Sequence, residues 1–320
     1  MHQRPLRCYA AAHRNDGSLA RLAHTSDDSV AAEMDTPDAT PEFVRWLSRP
    51  PLSRPTIICA FSGWNDAGDA ASQSAQAMID YWEATPMGEL DPEPFTDFAT
   101  IRPHVRIDEE QHRRVIWPTA GIWSASLPGT DVIIVLGPEP SLRWRLYTEQ
   151  IVGIASTFGA SMAITMGALL ADVPHTRPPQ LLITSGDEEL RSRYSLDRST
   201  YEGPTGIVGV LSTAFETAGV PCISLWAAVP NYANSLPSPP ATLALLQRAS
   251  QLVGSPHPST HLAAQVGDYV ASVDALVENN DLEDYVARLE DAVPEVPIEP
   301  DPAELVEEVE RFLRDQRDLD

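Results

Sequence analysis

The sequence predicts an α/β fold, a three-layer α/β/α sandwich followed by an all-α C-terminal part. Three observations carry this. Apolar, β-branched runs alternate with stretches of helical spacing from Thr56 to Ala228. One of those runs, Asp131–Leu136 (DVIIVL), is apolar throughout, as expected of a strand buried on both faces. Beyond Ser238 the strand signal stops and only helical spacing remains.

The elements follow in order. Thr56–Phe61 reads as a strand, and Asp66–Trp82 as a helix with Ala67, Ala70, Ala71, Ser74, Ala75, Met78, Tyr81 and Trp82 along one face, whose small residues let it lie close on the sheet. Pro86 and Gly88 are expected to end that segment in a loop reaching Pro94. Strand-like runs cover Asp97–Ile101, Arg113–Trp117, Ile122–Leu127 and Asp131–Leu136. A helix is expected over Leu142–Phe158, strands over Ser161–Leu169 and Leu181–Thr184, and a loop over Tyr194–Gly206. The helix Ile207–Ala218, stopped by Gly219, precedes a last strand, Val220–Ala228. The alternation predicts a mainly parallel sheet.

The 320 residues divide into an N-terminal stretch (1–40) without sustained periodicity, an α/β core (41–238) and an acidic helical part (239–320). The first stretch reads as disordered, with Met34 as an alternative start of the chain. Helices are expected over Ala241–Leu252, from Pro258 to Val277, and over Leu282–Leu289. A Pro- and acid-rich linker follows from Pro294 to Pro302. The final helix opens on Asp301-Pro302-Ala303-Glu304, a capping box, and carries the apolar stripe Leu305, Val306, Val309, Phe312 and Leu313.

Composition removes several functions. The formal net charge is −24, half of it within residues 278–320, and no basic groove is evident; nucleic acid and anionic membranes are therefore not expected partners. All 22 basic residues are arginine, which excludes a Walker-A lysine, a pyridoxal Schiff base and a Ser-Lys hydrolase from this chain's own side chains. Of the three cysteines, Cys59 and Cys222 fall in strand-like runs and read as core residues. No C-x-x-C occurs, which suits a reducing cytoplasm. No apolar run reaches the roughly 18 residues a membrane span needs, and the N-terminus has no secretory apolar core.

In open α/β sheets, ligands and partners meet the carboxyl ends of the strands. Two turns there hold the candidate residues. The first is Ser62-Gly63-Trp64-Asn65-Asp66, with Gly68 closing it; the second is Gly137-Pro138-Glu139. Ser62 lacks the upstream glycine of a nucleophile elbow. Asp66 and Asp69 at the helix start would repel a phosphate. Asn65 or Asp66 as a helix cap, and Glu139 as the cap of the helix that follows it, are the structural readings. Trp64 reads as a core lid or an exposed contact, and a pocket plugged by Trp64 and Trp226 would favour a binding protein. His257 and His261 share i,i+4 spacing without a third ligand, so no metal and no cofactor is expected. His104, His112 and His175 fall in polar loops and are expected to be solvated.

Two blocks, G-W-N-D-A-G-D-A beginning at Gly63 and S-L-W-A-A-V-P-x-Y beginning at Ser224, resemble the proteasome assembly chaperone family in its actinobacterial form. The resemblance spans residues 42–290. It implies a sandwich related to the nucleoside phosphorylase fold, a helical C-terminal domain, and homo-oligomers, trimers among them. Archaeal and eukaryotic members bind proteasome α-subunits and help assemble the ring. Some archaeal members dock through a hydrophobic-Tyr-X tail, which the ending Arg317-Asp318-Leu319-Asp320 does not match. The expected function is protein binding, with proteasome subunits as the suspected partner, rather than catalysis. The alternatives are a nucleoside- or phosphate-type enzyme or binder at the strand ends, and an acidic oligomeric scaffold.

Overall fold

A computed structural model describes residues 41–108, 110–257 and 260–292. Met34, Cys8, the Pro294–Pro302 linker and the helix expected from Asp301 lie outside the described residues. Ten strands appear there: β1 (Val44–Trp46), β2 (Thr56–Ser62), β3 (Thr85–Leu90), β4 (His104–Ile107), β5 (Arg113–Ile116), β6 (Gly121–Leu127), β7 (Thr130–Pro138), β8 (Met162–Ala171), β9 (Leu181–Thr184) and β10 (Cys222–Pro230). The helices are α1 (Ala70–Tyr81), α2 (Trp144–Thr157), α3 (Glu188–Tyr194), α4 (Ile207–Thr217), α5 (Pro239–Val253), α6 (Thr260–Asn279) and α7 (Glu283–Ala292).

Eight strands form one sheet in the order β1-β3-β6-β7-β2-β8-β10-β9. The four central strands β7, β2, β8 and β10 are parallel, and they carry the apolar runs read from the sequence. Ile57, Ile58, Ile133, Ile134 and Ile164 are fully buried among them.

The flanks depart from the expected parallel order. β6 and β7 are joined by Pro128–Gly129 alone, with Gly129 at φ +89°; a two-residue connection permits only an antiparallel return. β3 and β1 continue outward antiparallel, and β9 pairs antiparallel with β10 at the far edge. β3 occupies the segment expected to be a loop. The register shift between Pro86 and Gly88 is a bulge that accommodates the proline.

Helices cover both faces. α1 and α5 lie on one side, where Ala71, Ala75, Met78, Leu245 and Ala249 share a cluster with Ile58 and Ile164. Ser74 Oγ donates to the Thr242 carbonyl at 2.7 Å, tying the two helices. Helix α5, grouped by its sequence with the C-terminal helices, thus supplies part of the outer layer. On the other side α2 and α4 bring Tyr147, Ile151, Leu211 and Phe215 against Ile57 and Cys59.

Three further differences have local causes. Asp97–Ile101 is a turn rather than a strand, because the Asp97 carboxylate accepts from Ala99 N–H and Thr100 Oγ1, both at 2.9 Å. Helix α3 starts where Asp187 caps the Leu190 N–H at 2.8 Å. His104–Ile107 and Arg113–Ile116 pair as a separate two-stranded ribbon.

Candidate functional site

The two turns meet at the carboxyl end of the parallel strands. β2 ends at Ser62 beside Pro138 of β7, and the Glu139 N–H donates to the Ser62 carbonyl at 2.9 Å. Ser62 is exposed. So is Gly63, which lies against Glu139 with φ +129°. Asn65 is completely buried: its Nδ2 donates to Glu139 Oε1 at 2.6 Å, and its carbonyl accepts from Ala168 N–H of β8 at 2.7 Å. Glu139 Oε1 also accepts from the Ile207 N–H at 2.8 Å. Glu139 therefore caps α4, 68 residues away in sequence, and not the helix that follows it. Asn65 Oδ1 finds no donor among the described residues and packs against Gly206, where any added Cβ would sit 2.1 Å from it.

Asp66 serves the other side of the turn. It is buried and accepts from the Ala71 N–H at 2.7 Å, the Ser72 N–H at 3.1 Å and Ser72 Oγ, closing the first turn of α1. Burial pushes its carboxyl above the ordinary range, while the bonds from Ser72 and Ala71 pull it back. Gly68, at φ +59°, brings its backbone against Ser238, whose N–H donates to the Gly68 carbonyl at 2.8 Å; a Cβ there would lie 2.8 Å from that of Ser238.

Asn65 and Asp66 are thus directed inward, and Trp64 alone among the large side chains of the turn is turned out, 57% exposed. An indole this exposed is not a core lid. Trp226 lies elsewhere, in the middle of β10, with its ring over Gly167 and Nε1 bonded to Ser224 Oγ at 3.0 Å. Gly137 is pressed against Ala120, whose Cα would be 2.4 Å from an added Cβ. The two tryptophans do not close a common pocket. A shallow cleft beside Pro138, Pro140 and Tyr147, and another beside His175, Ala228 and Tyr269, are lined by neither Trp64, Asn65 nor Glu139.

His175 corrects the expectation of a solvated loop histidine. It is buried, with Nδ1 2.7 Å from Tyr232 Oη and Nε2 3.0 Å from Asp274 Oδ1 of α6. Its N–H also donates to Tyr232 Oη at 2.8 Å. Tyr285 Oη of α7 donates to Asp172 at 2.9 Å. These bonds join the strand ends to the C-terminal helices. Cys59 and Cys222 are buried core thiols, pushed up by desolvation, Cys222 to about 12. Among the described residues no group of three or more His, Cys, Asp or Glu is placed to hold a metal ion, and no helix is long and apolar enough to cross a membrane.

The family model described as the PAC2 family matches residues 60–277, from the end of β2 through α6. A PAC2 family protein from Streptomyces avermitilis is 39% identical, over 72% of this chain and 99% of that one, with a TM-score of 0.69. This chain belongs to the PAC2 family. Another solved structure similar to this PAC2 protein is a proteasome-assembly chaperone homologue from Mycobacterium tuberculosis, 35% identical over 72% and 99% of the two chains, with a TM-score of 0.65. An archaeal proteasome activator from Pyrococcus furiosus shares the fold, at 18% identity and a TM-score of 0.58 over 73% of this chain and 97% of that one. No curated protein matches this chain.

Proposed function

We propose that this PAC2 protein is an assembly-chaperone-like factor that binds protein partners, proteasome subunits first among them, through the surface around Trp64. The observation that carries the reading is an exposed indole on a turn whose backbone is fixed by buried hydrogen bonds. Tryptophans presented in this way dominate protein interfaces, because little order is lost when they are covered. The names of the Mycobacterium and Pyrococcus relatives supply the partner class. The reading includes self-association, which sedimentation of the purified chain measures.

The test is binding of the host's own proteasome α and β subunits to wild-type chain and to Trp64→Ala. Loss of at least about tenfold in affinity with an unchanged unfolding curve supports the reading. Absence of binding by the wild-type chain, with thermal stabilisation by a nucleoside or phosphate instead, overturns it in favour of a small-molecule site.

A further inference from the structure

The β4–β5 ribbon is the one two-stranded sheet among the described residues, and all eight of its strand residues are exposed. Its register pairs Val105 with Val115 and Ile107 with Arg113. Side chains alternate along a strand, so one face of the ribbon carries Val105, Ile107, Arg113, Val115 and, one step further, Trp117, while His104, Arg106, Arg114 and Ile116 lie on the other. Val105, Ile107, Val115 and Trp117 are 51%, 64%, 50% and 48% exposed. A hairpin rich in β-branched residues and bare on both faces is marginal in water, and a contiguous apolar patch of this kind signals a docking site.

Charge selects the occupant. The paired strands carry Arg106, Arg113 and Arg114 and no acid. Arg114 is bonded to Asp108, whereas Arg106 and Arg113 form no ion pair among the described residues. Within a chain of net charge −24, Arg113 thus places one cation on the apolar face, beside Ile107. Residues 293–320 offer the complement: ten Asp/Glu against three Arg, with Leu305, Val306, Val309, Phe312 and Leu313 at the spacing of one helix face.

The reach is adequate. The segment holding the ribbon leaves β3 and rejoins β6 at the carboxyl end of the parallel strands, where the Leu90 N–H meets the Ala120 carbonyl. Helix α7 is held to the same end by Tyr285 and Asp172, just beyond β8. β6 and β8 are three strand spacings apart in the sheet, about 14 Å. Residues 293–300, three of them proline, span up to about 25 Å when extended.

We propose that the apolar face of the β4–β5 ribbon is the docking site of this chain's own acidic C-terminal segment, residues 301–313. The stripe from Leu305 to Leu313 covers Val105, Ile107, Val115 and Trp117, and its flanking carboxylates face Arg113 on the same side of the ribbon.

Hydrogen exchange on the full chain tests this, read on peptides spanning 104–116 and 301–313. The Val309→Asp/Phe312→Asp chain is expected to exchange its ribbon amides at least about tenfold faster than wild type. Arg113→Glu is expected to speed exchange in 301–313 as well, and high salt to narrow that difference. Ribbon exchange that is equal in wild type and in the Val309/Phe312 variant overturns the proposal. So does wild-type protection that falls on twentyfold dilution of the protein, which assigns the cover to a second copy.

Discussion

The Asn65 amide donates to Glu139 Oε1 at 2.6 Å across 74 residues of chain, and the same oxygen takes the first N–H of α4 from Ile207. One carboxylate oxygen therefore holds together the turn after β2, the turn after β7 and the start of α4. Glu139→Ala leaves two donors without an acceptor, both on fully buried residues. At about 1–3 kcal/mol for each unpaired buried group, a loss of about 2–6 kcal/mol is expected. Glu139→Gln keeps an acceptor oxygen and is expected to lose less than half as much. Urea unfolding of the three chains measures the order.

Gly206 is required by space and not by backbone conformation. Its φ of −97° suits any residue, yet an added Cβ would sit 2.1 Å from Asn65 Oδ1, which the Glu139 bond holds in place. Gly206→Ala is expected to cost about 1–3 kcal/mol by overpacking. In an Asn65→Ala background the obstruction is gone, so the same substitution is expected to cost under about 1 kcal/mol. A double-mutant cycle with no coupling would place the strain elsewhere.

The parallel strands and the main helices were legible because each carries its own period: Asp131–Leu136 is apolar throughout, and α1 shows its alanine face. The antiparallel flank was written in Pro128–Gly129, too short a link for a crossover, but it reads as a hairpin only when the runs on either side are taken as one unit. Asp187 before Glu188 and Glu189 was an available start signal for α3. At the site, the sequence marked Asn65, Asp66 and Glu139 but could not assign their partners. Ile207, Gly206 and Ala168 lie 68 residues or so from Glu139 or 100 and more from Asn65, and folding alone brings them together. His175 looked solvated because its neighbours are polar; Tyr232 and Asp274, which bury it, lie 57 and 99 residues away.

Tyr232→Phe tests how the C-terminal helices are held. The hydroxyl accepts the His175 N–H and bonds Nδ1, so the natural arrangement has Nδ1 accepting from Tyr232 and Nε2–H donating to Asp274. Without the hydroxyl, the backbone N–H and one ring nitrogen of His175 lose their partner. Destabilisation of about 1–3 kcal/mol is expected, together with faster exchange confined to α6 and α7. Burial also pushes the Tyr232 phenol up to about 12. Difference absorbance at 295 nm between wild type and Tyr232→Phe should therefore show little phenolate from this residue at about pH 10, where an ordinary tyrosine is half ionised.

Asp66 gives the fold a pH dependence of definite sign. Burial is the largest influence on its carboxyl and raises it, so the folded chain holds that proton more tightly than the unfolded chain does. The contribution is complete below the unfolded value of about 4 and is lost as pH rises through the higher folded value. Asp66→Asn retains a carbonyl oxygen for the Ala71 N–H and carries no charge to desolvate. Its stability relative to wild type is therefore expected to improve as pH rises from about 4 to 7. Asp66→Ala, which removes the acceptor of both helix N–H groups, is expected to lose about 1–2 kcal/mol near pH 4 and less as pH rises, because it too carries no charge to desolvate. Urea unfolding of the three chains at several pH values separates the effects. A wild-type advantage over Asp66→Asn that grows with pH would mean that the bonds from Ala71 and Ser72 outweigh burial, and that the ionised carboxylate is the form the turn is built to hold.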